Sequence, residues 1–276
     1  RQIPFSVLLN NKHFIIEDYE IVTLPKLVLK QNVIRETNQR HALIAALSKP
    51  DGGSLDELLQ GSFKNLLGQR AIEPIALPDI TVQEKKPDNR ALLVEELSLP
   101  SVTQEVANIQ SDFNNTTLVN HDFTENNFKS SVLTGDYDLV HIASHGYFGK
   151  NADDSFIMMY DRNLKLKEFQ DVFNAQQTRY KPIDLLTLSA CQTASGDDKA
   201  LLGFSGIAIR TNTLSAVGTL WSVNDEAAST LMKSFYQHLQ TSSKATALRQ
   251  AQLELLKTPK FKHPYYWSPF ILVGHW

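Results

Sequence analysis

Short apolar runs broken by polar residues open the chain. Residues 5–9, 14–16 and 19–24 are separated by Asn10-Asn11-Lys12 and by Glu17-Asp18. This pattern predicts two or three short strands, a hairpin beside a larger sheet. Residues 41–47 follow as a first core strand, although their alanines suit a helix almost equally well. Residues 139–143, 183–188, 216–220 and 270–273 are apolar over strand length, as strands buried on both faces are. Residues 117–120 read as a short second strand. Residues 156–159 and 164–169 read as a hairpin, or as a strand plus a helix. Helical spacing marks residues 102–113, a helix beginning at Asp122 or Thr124 and carrying Phe128, and residues 203–211. A helix from Asp225 places Ala228, Leu231, Met232, Phe235 and Leu239 on one stripe, and another runs from 245 to 256 until Pro259 stops it. Strands alternating with helices predict an α/β fold, a mostly parallel sheet with helices on both faces.

Between the first strand and residue 90 the pattern changes. Asp51-Gly52-Gly53 breaks the chain, and Ser54 with Glu57 three residues later has the form of a capping box. Leu55, Leu58, Leu59 and Phe63 continue a helical stripe. Pro74, Pro78 and the charged patch Glu84-Lys85-Lys86-Pro87-Asp88 then interrupt it. The segment reads as an insertion at about 50–90, of a size to form a lid, an exosite or a plain loop. With the core strands outside it, replacement by a short Gly/Ser linker is expected to leave the fold intact.

Composition narrows the function. At 276 residues and 42% hydrophobic the chain can bury one large core or two small ones. A formal net charge of −3 offers no basic field for nucleic acid or an anionic membrane surface. No apolar run approaches the roughly 18 residues of a membrane span. One cysteine, Cys191, excludes an internal disulfide and suits a reducing compartment, so a cytoplasmic location is expected. The chain opens on Arg1 without a signal-peptide pattern and reads as the carboxyl-terminal piece of a longer protein.

The chemistry gathers at two strand ends. Ser144-His145-Gly146 follows the strand at 139–143, and Ser189-Ala190-Cys191-Gln192-Thr193 follows the strand at 183–188. In an open parallel sheet the carboxyl edge is where ligands bind. Taken alone, a lone cysteine after an apolar strand is most often a small buried hydrophobe. The spacing argues otherwise: Cys191 follows His145 by 46 residues, and in caspases the catalytic histidine stands about 50 residues upstream of the cysteine.

Here the chain resembles the CHAT peptidases, relatives of caspases and separases often found beside TPR repeats. The resemblance rests on Arg1-Gln2-Ile3-Pro4-Phe5, HIASHG at 141–146, LLTLSACQTASGDD at 185–198, GFSGIAIRTNTLSAVGTLWSVND at 203–225, LMKSFYQHL at 231–239, ALRQAQLELL at 247–256 and HPYYWSPFILVG at 263–274. It implies a caspase-like three-layer sandwich at 41–276, with residues 1–40 as an amino-terminal strand extension packed on it. The insertion departs from the family pattern, in which the first strand runs quickly into a helix.

The resemblance further implies a cysteine endopeptidase working through a dyad, with Cys191 as nucleophile and His145 as base. Backbone N–H groups of Gly146 and Cys191 would form the oxyanion hole. No third residue orienting His145 is identifiable. Residues 220–225 resemble the strand on which caspases and separases pair an extended peptide, so Trp221, Val223 and Asp225 are expected to bind substrate. Separases carry an acid at the position of Asp225 that accepts arginine. Ser222 stands where they carry a second acid. Asp225 also precedes a helical stripe and suits an N-cap. Asp153, Asp154, Asp197 and Asp198 flank the two catalytic loops and are alternative pocket acids. The implied partners are a protein or peptide substrate and a TPR or other regulatory module, in cis or in trans, and no cofactor is implied. The alternative is a catalytically silent peptide-binding or scaffold domain.

Other motifs carry less. His141 and His145 have HxxxH spacing, but no glutamate lies between them, and on a strand they would stand about 13 Å apart, too far for one metal. Gly203-Phe204-Ser205-Gly206 is one residue short of the serine nucleophile elbow. Neither GxxxxGK[ST] nor GxGxxG occurs, so nucleotide binding has no support.

Overall fold

The computed structural model describes residues 3–24, 40–60, 87–148, 155–176, 182–189, 191–193, 211 and 213–276. Among these, a six-stranded sheet forms the centre. It consists of β3 (His41–Ala46), β4 (Asn114–Val119), β5 (Leu139–Ala143), β9 (Leu185–Leu188), β11 (Ser215–Thr219) and β12 (Phe270–Gly274), in the order β12-β11-β9-β5-β3-β4. All neighbours are parallel except β11 and β12.

Alternation along these strands builds two apolar layers. Leu43, Ala45, Val140, Ile142, Leu186 and Leu188 face one side. They meet α2 (Gly53–Gln60), α3 (Pro87–Glu96), α5 (Glu125–Thr134) and α6 (Leu166–Gln176), through Leu55, Leu93, Phe128 and Phe169 among others. Ala42, Ile44, Ala46, Leu139, Ala143 and Leu185 face the other. There they meet α4 (Pro100–Asp112), α7 (Asp225–Leu239) and α8 (Lys244–Lys257), with Trp267 of the short α9 (Pro264–Trp267). Helices on both faces of a mostly parallel sheet make the expected three layers. On the central strands β5 and β9 two positions of the second face are polar, His141 and Thr187. Tyr236 of α7 bonds both, with its hydroxyl 3.0 Å from His141 Nδ1 and donating to Thr187 Oγ1 at 2.9 Å. Glu105 of α4 puts Oε1 2.7 Å from His141 Nε2, a close contact without hydrogen-bond alignment. Burial pushes the Tyr236 phenol far above its ordinary value. These contacts make His141 a core residue.

The amino-terminal segment forms a small hairpin, β1 (Leu9–Asn10) with β2 (His13–Phe14). Its turn places Asn11 at φ 60, a left-handed conformation that asparagine tolerates. After it, α1 (Ile15–Asp18) buries Ile16 in the second layer, and Arg249 donates to the Ile16 carbonyl at 2.8 Å. Thr23 then bridges in parallel to Val273 at the edge of the main sheet.

Several boundaries move. The second strand begins at Asn114, three residues before the expected start, because a sheet edge lets Asn114, Asn115, Thr116 and Thr117 remain exposed or half-buried. Thr124 is the cap that starts α5, accepting from Asn127 N. Ser54 lies inside the first turn of α2, which begins at Gly53, and Glu57 accepts from Asn163 N at 2.8 Å instead of closing a capping box. A Cβ on Gly53 would stand 2.2 Å from the Asp161 carbonyl oxygen, so the turn into α2 requires glycine.

The amino-terminal end of the expected insertion belongs to the packed core, and its other end leads into the core through α3. Leu55 and Leu58 of α2 and Leu93 of α3 are buried, and Arg90 ties α3 to α2 through the Asp51 carbonyl at 2.6 Å and the Asp56 carboxylate. Replacing residues 50–90 as a block would therefore remove core packing. Phe63, Pro74, Pro78 and residues 84–86 lie outside the described residues, as does the helix expected at 203–211 apart from its last residue.

Candidate active site

Strands β5 and β9 lie side by side in parallel register, with His141 opposite Thr187 and Ile142 opposite Leu188. Both chains leave the main sheet together and pair again as β6 (Gly146–Phe148) and β10 (Cys191–Thr193), with Gly146 opposite Cys191. By sequence these continuations read as loops, since Gly146 and the polar Gln192-Thr193 interrupt the apolar pattern. Three residues, 143–145, lead from the Ile142 pairing to Gly146 on the histidine side.

Antiparallel strands β7 (Phe156–Met158) and β8 (Asn163–Lys165) complete this second sheet. They also hold the histidine from behind. Ser144 Oγ donates to the Met158 carbonyl at 2.6 Å, and Met158 N donates to the His145 carbonyl at 2.8 Å. The Ser144 side chain before His145 and the His145 carbonyl itself are thus both held by one residue of a buried strand.

The ring of His145 is fixed separately. Its Nε2 lies 2.8 Å from the Leu97 carbonyl oxygen. A carbonyl only accepts, so Nε2 carries the proton and the neutral ring keeps its lone pair at Nδ1. Burial pushes the imidazole pKa below its ordinary value, while the Leu97 carbonyl and the Asp225 charge act in the opposite direction. The neutral form, the one able to accept a proton, is therefore favoured. Sequence reading found no orienting third residue, and none could be found by residue type, because the orienting group is a main-chain oxygen.

Leu97 directly follows α3 and is itself pinned. Its N–H donates to Leu93 O at 2.9 Å, and two residues later Leu99 N donates to Ser48 O at 2.8 Å. Ser48 N and Oγ donate in turn to Asn120 Oδ1 at 2.9 and 3.1 Å. The segment leading into α4 thus lies over the carboxyl ends of β3, β4 and β5.

Of Cys191 the structure describes the backbone, whose strand partner Gly146 adjoins His145. The expected substrate strand is irregular at 220–224, because β11 ends at Thr219, and its side chains are described. Trp221 Nε1 donates to the Tyr265 carbonyl at 3.1 Å, and the two rings stack at 6.3 Å and 23°. Tyr265 donates its hydroxyl to the Ser222 carbonyl at 3.0 Å. Val223 is half-buried against the second apolar layer. Asn224, not Asp225, caps α7, accepting from Ala227 N at 3.1 Å. Asp225 instead accepts from the Ser101 N–H of α4 at 2.7 Å. Asp153, Asp154, Asp197, Asp198 and Ser205 lie outside the described residues. Among the described residues no group of three His, Cys, Asp or Glu side chains is placed to hold a metal, and no helix is long and apolar enough to cross a membrane.

A three-layer α/β fold with a histidine and a cysteine on neighbouring strand ends defines a protein of caspase-like architecture. A family model for the CHAT domain matches residues 1–275, and the chain belongs to that family. No curated protein matches it. Among solved structures, the complex of Porphyromonas gingivalis RgpB pro- and mature domains is similar at TM-score 0.47 and 9% identity, over 87% of this chain and 48% of that one. The Arg-specific cysteine proteinase gingipain R (RgpB) gives 0.47 and 10%, over 87% and 47%. Protein GSU0716 from Geobacter sulfurreducens gives 0.45 and 10%, over 85% and 94%. The chain thus spans about half the length of the two gingipain chains.

Proposed function

We propose that the chain is a cysteine endopeptidase in which His145 and Cys191 act as a dyad. The observation that carries this reading is the His145 ring. It is held neutral with Nε2–H on the Leu97 carbonyl, one residue from the strand partner of the chain's single cysteine. In this reading Nδ1 takes the Cys191 thiol proton, and the thiolate attacks the scissile carbonyl. The Gly146 and Cys191 N–H groups receive the developing oxyanion. The C–N bond breaks as His145 returns the proton to the leaving amine. Water, with His145 again as base, then hydrolyses the thioester. The substrate lies extended along Trp221 and Val223, whose segment is braced by Tyr265.

The test is cleavage of a peptide library by purified wild type, Cys191→Ala and His145→Ala. The proposal expects cleavage by wild type alone, from three folded proteins. Equal turnover by either variant would sink it. A wild type that binds peptides without cutting them would instead support a silent peptide-binding domain.

A further inference from the structure

We propose that Asp225 is a positioning residue for the histidine, holding the first turn of α4 and thereby the Leu97 carbonyl against the His145 ring. The inference builds on the catalytic role proposed for His145 and concerns a residue that the family resemblance would assign to substrate.

The amino terminus of α4 is poorly provided from its own sequence. Its N-cap is Leu99, which has no side-chain acceptor, and Pro100 at the first helical position has no N–H. Ser101 N is the next donor, and it bonds the Asp225 carboxylate across 124 residues of sequence. Asp225 is itself the first residue of α7, which Asn224 already caps. Its carboxylate therefore stands at the amino termini of two helices. Both helix dipoles present their positive end there.

Only residues 98–100 separate the His145 acceptor, Leu97, from this anchor at Ser101. On the α3 side Leu97 is held by the Leu93 carbonyl, and midway Leu99 is held by Ser48. Without Asp225, the α4 side of the segment loses the bond that fixes Ser101. The Leu97 oxygen can then move off the imidazole, and the ring can populate the tautomer with its proton on Nδ1, which cannot accept from a thiol. The same carboxylate is, among the described residues, the charged group that acts on His145, and it favours the protonated ring. It thus assists the imidazolium that forms after proton transfer.

Asp225→Asn and Asp225→Ala separate these roles. Asparagine keeps an oxygen for Ser101 N–H and removes the charge, whereas alanine removes both. For the asparagine variant we expect an unchanged residue preference and an acid limb of kcat/KM moved to lower pH. For the alanine variant we expect the same shift and a fall in kcat of roughly 10- to 100-fold, the scale of a displaced catalytic group. A second readout does not need turnover. In Cys191→Ala protein, imidazole 15N shifts of His145 should show the Nε2–H tautomer with Asp225 present and a mixture with alanine in its place. An unchanged tautomer and unchanged titration in Asp225→Ala overturn the proposal whether or not peptides are cleaved. So does a loss of arginine preference with the pH profile unmoved. A tautomer change in a protein that cleaves nothing would uphold the positioning role and overturn the peptidase reading.

Discussion

The Nε2 nitrogen of His145 stands 2.8 Å from the Leu97 carbonyl oxygen, a contact across 48 residues that sets which nitrogen of the ring is free. Its consequences can be tested through the Leu97 side chain, which is buried in the first apolar layer. Leu97→Ala should cost about 2–5 kcal/mol in urea denaturation, as buried leucine truncations do, and should lower kcat as well. Leu93→Ala, also in that layer, should cost similar stability with a smaller effect on kcat. Equal effects on turnover would separate the carbonyl from catalysis.

The depressed pKa of His145 has a signed effect on stability. In the unfolded chain the ring takes its proton near 6.5, whereas in the fold it resists protonation. As pH falls below 6.5 the unfolded state binds the proton first, so stability drops until the folded-state value is passed. Comparing urea midpoints between pH 7 and pH 5 for wild type and His145→Gln isolates this part. The variant should lose less stability over that interval. The acid limb of peptide cleavage should likewise fall below pH 6.5.

The two histidines of the HxxxH pattern should behave in opposite ways. His141 lies fully buried between Glu105 and Tyr236, so Glu105→Ala strands polar groups in the core. The cost should be about 3–5 kcal/mol, the usual result of removing one partner of a buried pair. His145→Ala should retain the fold and lose the chemistry. Thermal melts of both variants check this, and a stable Glu105→Ala would contradict the core role of the network.

Tyr265 offers a test of the substrate strand. Its hydroxyl bond to the Ser222 carbonyl braces a segment that would bind peptide in ground and transition states alike. Tyr265→Phe should raise KM by a factor of a few and leave kcat nearly unchanged, as lost uniform binding does. A fall in kcat at constant KM would place the tyrosine closer to the reaction.

Much of this was legible in the sequence, for a physical reason. Strands such as β5 and β9, buried on both faces, are apolar apart from His141 and Thr187, and the residues just after them, His145 and Cys191, break that run with chemistry. Edge strand β4 was misjudged because its exposed positions accept Asn and Thr. The helix carrying residues 87–96 was hidden behind prolines and charges that marked its surroundings as an insertion. By sequence Asp225 suits both a substrate acid and the cap of its own helix, whereas the neighbouring Asn224 takes the cap and Asp225 reaches Ser101. The groups that orient His145, a carbonyl at Leu97 and a carboxylate acting through a distant helix, were invisible because residue type says nothing about either until the chain is folded.

Because Cys191 is the chain's single cysteine, its alkylation rate tests the central claim most directly. A peptidyl thiol-reactive probe, followed by intact mass at neutral pH, reports activation of that one sulfur. The account predicts rapid labelling of wild type, none of Cys191→Ala, and labelling of His145→Ala slowed toward the rate of the urea-unfolded chain. Wild type labelled no faster than His145→Ala would mean that the histidine does not activate the cysteine, and the dyad would be refuted.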